Sequence, residues 1–96
     1  MTYEWDPAKA AANARKHGVS FEEAASVFLD PAALTFPDPD HSDDEERAIT
    51  IGRSARQRVL FVAHTGREDR LRIISARRAT RQEQEQHEEG IDEATP

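Results

Sequence analysis

The chain has no cysteine, and only one methionine, one tryptophan and one tyrosine. The missing thiols exclude disulfide staples and any thiolate-bound zinc or iron–sulfur centre. They also fit a reducing compartment. Long apolar runs are missing too: the longest, Val59–Ala63, is far too short to cross a bilayer. The opening Met-Thr-Tyr-Glu-Trp-Asp carries no basic segment followed by an apolar one, so no signal peptide is expected. Lysine is scarce as well. Only Lys9 and Lys16 occur, so eleven of the thirteen cationic side chains are arginine. The expectation is a cytoplasmic protein with a single domain over residues 1–90 and a disordered tail over 91–96.

What is present is charge, sorted by position. Residues 1–46 carry three cations against eleven acids, a balance of −8. Residues 47–81 carry ten arginines, no lysine and two acids, a balance of +8. Residues 82–96 carry six acids and no cation. The formal net charge of −6 therefore hides a cationic middle. Arginine presents a planar fork of donors that matches a phosphate bidentately, which lysine cannot do. A dense arginine field on an acidic protein points to RNA or phosphate handling.

Periodicity divides the chain into helices and then strands. Asp6-Pro7 reads as an N-cap with proline at the first helical position, and His17-Gly18 as the stop. Ser20-Phe21-Glu22-Glu23 reads as a capping box for a second helix, with Phe21, Ala24, Ala25 and Phe28 on one stripe. Strands are expected at Tyr3–Trp5, Ala33–Phe36, Arg47–Arg53, Val59–Thr65 and Arg70–Arg77, the last three as an antiparallel meander. Thr80–Glu83 is a further capping box. The helix that it opens, Arg81–Glu89, has no apolar residue, so instead of docking on an apolar core it should fray, lie in solvent or meet a polar partner, and Gly90 should stop it. The fold class is α+β: a mainly antiparallel sheet of four to five strands, two N-terminal helices on one face, and a short C-terminal helix. The other face is left open for a site.

Several side chains could carry chemistry. On the meander strands Arg47, Arg53, Arg72, Arg77 and Arg78 could hold phosphate, or could pair with the acidic loop, and at least one of Arg77 and Arg78 must point to the open side. Strict alternation puts Arg72, Ile74, Ala76 and Arg78 on one side of the last strand, and Leu71, Ile73, Ser75 and Arg77 on the other. His64 ends an apolar strand and is either a structural histidine or a general acid or base. His17 is either a helix-end histidine or, with Lys16, an RNA-backbone contact. Glu46 adjoins Arg47 and could orient it or act as a base. The run His41–Glu46 has many oxygen ligands but not the spacing of a calcium loop, so neither metal nor other cofactor is expected.

Taken in order, these elements resemble one family. Glu4-Trp5-Asp6, Lys9, Asn13, Arg15-Lys16-His17-Gly18-Val19, Ser20-Phe21-Glu22-Glu23-Ala24 and Asp30-Pro31 are followed by His41-Ser42, Glu46-Arg47 and Ile51-Gly52-Arg53. Val62-Ala63-His64-Thr65 and Arg72–Thr80 complete the pattern. This is similar to the BrnT family of toxins from bacterial type II toxin–antitoxin modules, over about residues 3–90. The resemblance implies a RelE-like fold, RNA cleavage that arrests growth, and neutralisation by a BrnA-like antitoxin. That antitoxin would carry a ribbon-helix-helix element, through which alone the complex would meet operator DNA; no membrane partner is implied. Within it, metal-independent attack by the RNA 2′-hydroxyl would use Arg53, Arg77 and Arg78 on the phosphate and His64 and Glu46 as acid and base. Arg47, Arg72, Lys16 and His17 would contact the RNA. The alternative is a non-catalytic arginine-rich module that docks an acidic partner or nucleic acid, and a third is metal-assisted hydrolysis through the acidic loop.

Overall fold

The computed structural model describes residues 2–41, 47–67 and 69–94. A short strand β1 (Thr2–Glu4) leads into α1 (Pro7–His17), whose start and stop follow from sequence. Asp6 Oδ1 accepts from the N–H groups of Ala8 (2.8 Å) and Lys9 (3.3 Å), and Gly18 takes the left-handed conformation at φ 67°. Then come α2 (Phe21–Ser26), a 3₁₀ turn at Val27–Leu29, β2 (Leu34–Pro37) and a second 3₁₀ turn at Pro39–His41. The meander β3 (Arg47–Arg53), β4 (Val59–Arg67) and β5 (Arg70–Arg78) follows, and α3 (Arg81–Ala94) ends the fold. The strand order is β1-β5-β4-β3-β2, and β1 lies parallel to β5 while every other pair is antiparallel. The sheet is therefore mixed. A parallel first strand is the natural outcome when α1 and α2 cross one face and return the chain to the far edge.

The main core lies between that face and α2. Phe21, Ala24 and Val27 pack with Val19, Leu60, Val62, Leu71, Ile73 and Ala76, and Tyr3, Trp5 and Phe28 close the margins. A second, smaller cluster on the other face joins Ile49, Ile51, Val59, Ala63 and Ala79, with Phe61 and Ile74 against it.

Half of the expected capping box at Ser20 forms. Ser20 Oγ accepts from the Glu23 N–H (3.0 Å), but the Glu23 carboxylate turns inward instead of back to the cap. There it takes Arg58 through Nε (3.0 Å) and Nη2, and Ser54 Oγ (2.7 Å). The pair ties α2 to the β3–β4 turn. Hydrogen bonding from Arg58 is the chief cause that holds the Glu23 carboxyl below its ordinary range.

The expected stop of α3 at Gly90 needs correction, while of its expected outcomes the polar partner is the one that occurs. The helix runs through Gly90 to Ala94, and it does dock. His87 is 1% exposed, and its Nε2 meets Asp30 Oδ2 at 2.8 Å. A polar anchor thus replaces the apolar stripe that the sequence lacks.

Two outcomes follow. A Cβ on Gly52 would lie 3.1 Å from the Val27 carbonyl and 3.2 Å from its Cβ. Gly52→Ala should therefore lower stability by about 1–3 kcal/mol in urea unfolding. Glu23 has a folded pKa below its unfolded one, so its contribution is present above the unfolded value of 4.5 and is lost as pH falls through the folded pKa. Below pH 4.5 the wild-type protein should lose stability more steeply than Glu23→Gln, as read from thermal melts across pH 2–6.

Candidate RNA site

The decisive local feature is an irregularity in β5. Ala63 pairs with Ser75 but His64 pairs with Ile73, so Ile74 is an extra residue. Directly paired residues point to the same side of a sheet. Leu71, Ile73, Ala76 and Arg78 therefore share the helix-covered face with Leu60, Val62 and His64, and Arg72, Ser75 and Arg77 share the opposite face with Thr65, Ala63 and Phe61. Strict alternation, as expected from the sequence, would have put Arg77 beside Ile73 under the helices. The bulge corrects that assignment.

On the open face Arg77 is strongly oriented. Its guanidinium carbon lies 3.9 Å from the centroid of the Phe61 ring directly across the strand pair. Its Nη1 and Nη2 donate to Glu83 Oε1 (2.8 Å) and Oε2 (3.0 Å), and Nη1 also donates to the Arg78 carbonyl (3.2 Å). Glu83 completes the capping box of α3, accepting from the Thr80 N–H (2.8 Å) while its own N–H donates to Thr80 Oγ1 (3.2 Å). Burial would raise the Glu83 carboxyl, but Arg77 and the Thr80 N–H outweigh it and hold it low. Arg77 is thus fixed in aim and remains about one-third exposed.

Beside this row, α1 lies along β5 past the end of β1. The two enclose a cleft of about 260 Å³ lined by Lys9, Ala12, Asn13, Lys16, His17, Ile74 and Ser75. Positions 9, 13, 16 and 17 form one helix stripe, which is why one cleft collects them. Lys9 and Lys16 are exposed and His17 is half-buried. Among the described residues, Lys9, Lys16, Arg72 and Arg78 have no carboxylate partner. The cleft and the β5 row together form a cationic surface with one ring nitrogen group, His17, inside it. Lys9, Asn13 and Ser75 were missed as site residues, although the helical spacing of Lys9 with Lys16 and His17 was readable.

The other expected residues are dispersed. Arg78 points to the helix-covered side, opposite Leu60. Arg47 meets Asp38 (3.3 Å) at the far corner of the open face. Arg53 ends β3, where its Nη1 donates to the Gln57 carbonyl (3.2 Å) and its N–H to Asp30 Oδ2 (2.7 Å). α3 spans the interval between Arg53 and Arg77, touching Asp30 through His87 and Arg77 through Glu83. His64 is 7% exposed on the helix-covered face, edge-on to Phe28, with Nε2 2.7 Å from Thr50 Oγ1, which in turn lies 2.7 Å from Thr35 Oγ1. Burial pushes its pKa down, so it stays neutral near pH 7. The structure does not bring His64 together with Arg77. Glu46 lies outside the described residues, as does most of the acidic loop. Among the described residues no three His, Asp or Glu side chains converge as a metal site would require.

The model of the family described as "Ribonuclease toxin, BrnT, of type II toxin-antitoxin system" matches residues 5–83. The chain belongs to the BrnT family. A solved structure of the ribonuclease toxin BrnT from Brucella abortus, determined at 1.1 Å, has the same fold. It superposes with a TM-score of 0.66 at 24% identity, over 84% of this chain and 100% of that one. No individually curated protein matches the chain. Family membership makes this a ribonuclease toxin of a type II module, with RNA as its substrate and an antitoxin as its partner. None of the described helices is long and apolar enough to cross a membrane.

One outcome concerns the roof of the site. His87→Ala removes the buried partner of Asp30, whose carboxyl keeps its bonds from the Arg53 and Ala32 N–H groups. The loss should be about 1–3 kcal/mol and local. Hydrogen exchange should show α3 amides opening while β3–β5 amides keep their protection.

Proposed function

We propose that this toxin is a metal-independent endoribonuclease centred on Arg77 and the cleft between α1 and β5. The observation that carries the reading is the aim of Arg77. Its guanidinium is held by an aromatic face, a carboxylate and a carbonyl on the one sheet face that also borders Lys9, Lys16 and Arg72. Cleavage within an RNA chain needs three events. The 2′-hydroxyl loses its proton, negative charge builds on the phosphoryl oxygens, and the departing 5′-oxygen gains a proton. Arg77 stabilises the second, a contribution of about 3–4 kcal/mol for one well-placed donor. Lys9, Lys16 and Arg72 hold the RNA backbone on either side. His17 takes the acid–base role that the sequence had placed on His64, because its imidazole is the one that faces the cleft. His64 then supports the sheet from behind. Arg53, Arg47 and Arg78 act as outer contacts.

The reading keeps the RelE-like relationship: helices on one side of the sheet and a cationic side turned to RNA. The toxin acts in the cytoplasm, and a BrnA-like antitoxin covers the cationic side and brings the pair to operator DNA. Because the attacking group is the substrate's own 2′-hydroxyl, products end in a 2′,3′-cyclic phosphate and DNA is inert.

Arg77→Ala should lower kcat for RNA cleavage by about 100- to 1,000-fold with folding retained by circular dichroism. Lys16→Ala should mainly raise KM. Cleavage should persist in EDTA, and mass spectrometry of the fragments should find cyclic phosphate ends. An absolute need for magnesium with 3′-hydroxyl products, or stoichiometric RNA binding without turnover, would overturn the reading.

A further inference from the structure

α1 has eleven residues and one buried side chain, Asn13, at 8% exposed. The amide of Asn13 bonds through both ends. Nδ2 donates to the carbonyls of Ala76 (2.8 Å) and Val19 (3.0 Å), and Oδ1 accepts from the Ala76 N–H (3.1 Å). The two bonds to Ala76 are those that a neighbouring strand would make. They plug the β5 edge beyond Arg72, where its pairing with β1 ends. Ala76 stands between Ser75 and Arg77, two positions after the bulged Ile74. On the helix, the neighbours of Asn13 at i−4, i+3 and i+4 are Lys9, Lys16 and His17, the three cleft-lining side chains that can carry positive charge. The third bond, to Val19, fixes the turn that ends α1. Ala10 packs at the margin of the main core, but no other α1 side chain is fully buried, so Asn13 makes the directional contact that sets where the helix lies along the strand.

We infer that Asn13 is the positioning residue of the RNA site: its bonds to Ala76 set Lys9, Lys16 and His17 in register with Ser75 and Arg77. The inference rests on the ribonuclease reading above. Asn13 touches no substrate and acts through the residues that do. Replacing it leaves each chemical group in place but lets the two halves of the site drift. A displacement of about 1 Å is enough to reduce turnover by roughly 100-fold. A purely structural anchor would behave differently, lowering activity only as far as it lowers the folded fraction.

The test is a kinetic cycle with a stability control. Wild type, Asn13→Ala, Asn13→Asp, Lys16→Ala and the Asn13→Ala/Lys16→Ala double variant would be compared at a temperature where circular dichroism shows each folded. Val27→Ala, which truncates a fully buried core residue away from α1, serves as the destabilised control. Cleavage of RNA gives kcat and KM, and a 2′-O-methyl RNA, which cannot cleave itself, gives affinity. Asn13→Ala should lose about 100-fold in kcat while Val27→Ala cleaves at the wild-type rate. Lys16→Ala should cost much less in the Asn13→Ala background than alone, because a misplaced lysine has little left to lose. Asn13→Asp keeps the acceptor for the Ala76 N–H but faces two carbonyls without a donor, so it should lose kcat as Asn13→Ala does, and it carries the test alone should the alanine variant not fold. Independent, multiplying losses would sink the inference, and so would an Asn13→Ala enzyme as active as Val27→Ala. If the wild-type protein neither binds nor cleaves RNA, the ribonuclease reading fails and this inference falls with it. If wild type cleaves and the Asn13 variants match it, only the inference falls.

Discussion

One extra residue in β5 decides what this sheet can do. Inserting Ile74 into the β4–β5 ladder lets Leu71 and Ile73 face the helical core and still turns Arg77 to the opposite side. Were Ile74 paired as an ordinary ladder position instead, the alternation would bury a guanidinium beneath α2, or bring Leu71 and Ile73 out to water. Either costs several kcal/mol, in desolvated charge or in lost apolar burial. The bulge resolves the conflict with a single unpaired position, which then packs Ile74 against the small second cluster and borders the cleft. Bulges commonly re-aim a side chain beside a functional site, and here the re-aimed residue is the most strongly oriented arginine on the open face.

The two outer helices are fastened by polar contacts more than by oil. α1 has Asn13 as its one buried side chain, and α3 has His87 buried against Asp30. Only α2 brings an apolar stripe, and it carries the main core. A small domain can bury only a limited share of its surface, so directional bonds take over where apolar area runs out. Hydrogen bonds of this kind fix geometry more tightly than they add net stability, since each contributes about 1 kcal/mol. That trade suits a site whose two halves sit on different elements. The acids are used in the same way. Glu23, Asp38 and Glu83 engage Arg58, Arg47 and Arg77, so much of the cationic excess of residues 47–81 is structural. Among the described residues, the cations without a carboxylate partner lie mainly along β5 and α1.

The strands, the first two helices and their caps were legible because each depended on local chemistry: Asp6-Pro7, Gly18, Ser20, and runs of β-branched residues. The cationic character of the open face was legible for the same reason. Three things were not. Parity failed along β5 because a bulge is set by how two strands fit, which no single strand records. For α3 a polar partner was among the outcomes read, but its identity was not, because His87 finds it 57 positions away in Asp30. His64 drew attention as an imidazole at a strand end, yet its strand places it on the covered face, where Thr50 and Phe28 account for it. His17, by contrast, was read either as a helix-end histidine or, with Lys16, as an RNA-backbone contact, and the packing of α1 on β5 turns it toward a cleft.

The pairing of Arg77 with Glu83 bears directly on how the open face could meet a phosphate. An arginine that waits free in water must surrender side-chain freedom when a phosphate arrives, and burying a long side chain costs about 2 kcal/mol of that freedom. Arg77 has already given it up, to Phe61, the Arg78 carbonyl and Glu83. A guanidinium has five N–H donors, and a carboxylate occupying one edge leaves the remainder for a second anion. Glu83 can therefore orient Arg77 without excluding substrate, while reducing the net positive charge of the resting site. Its position in the first turn of α3 ties that orientation to whether the helix is docked. Docking in turn depends on His87 and Asp30 at the other side of the sheet. The polar helix that lacked any obvious reason to fold against the core is thus the element that holds the central arginine in aim.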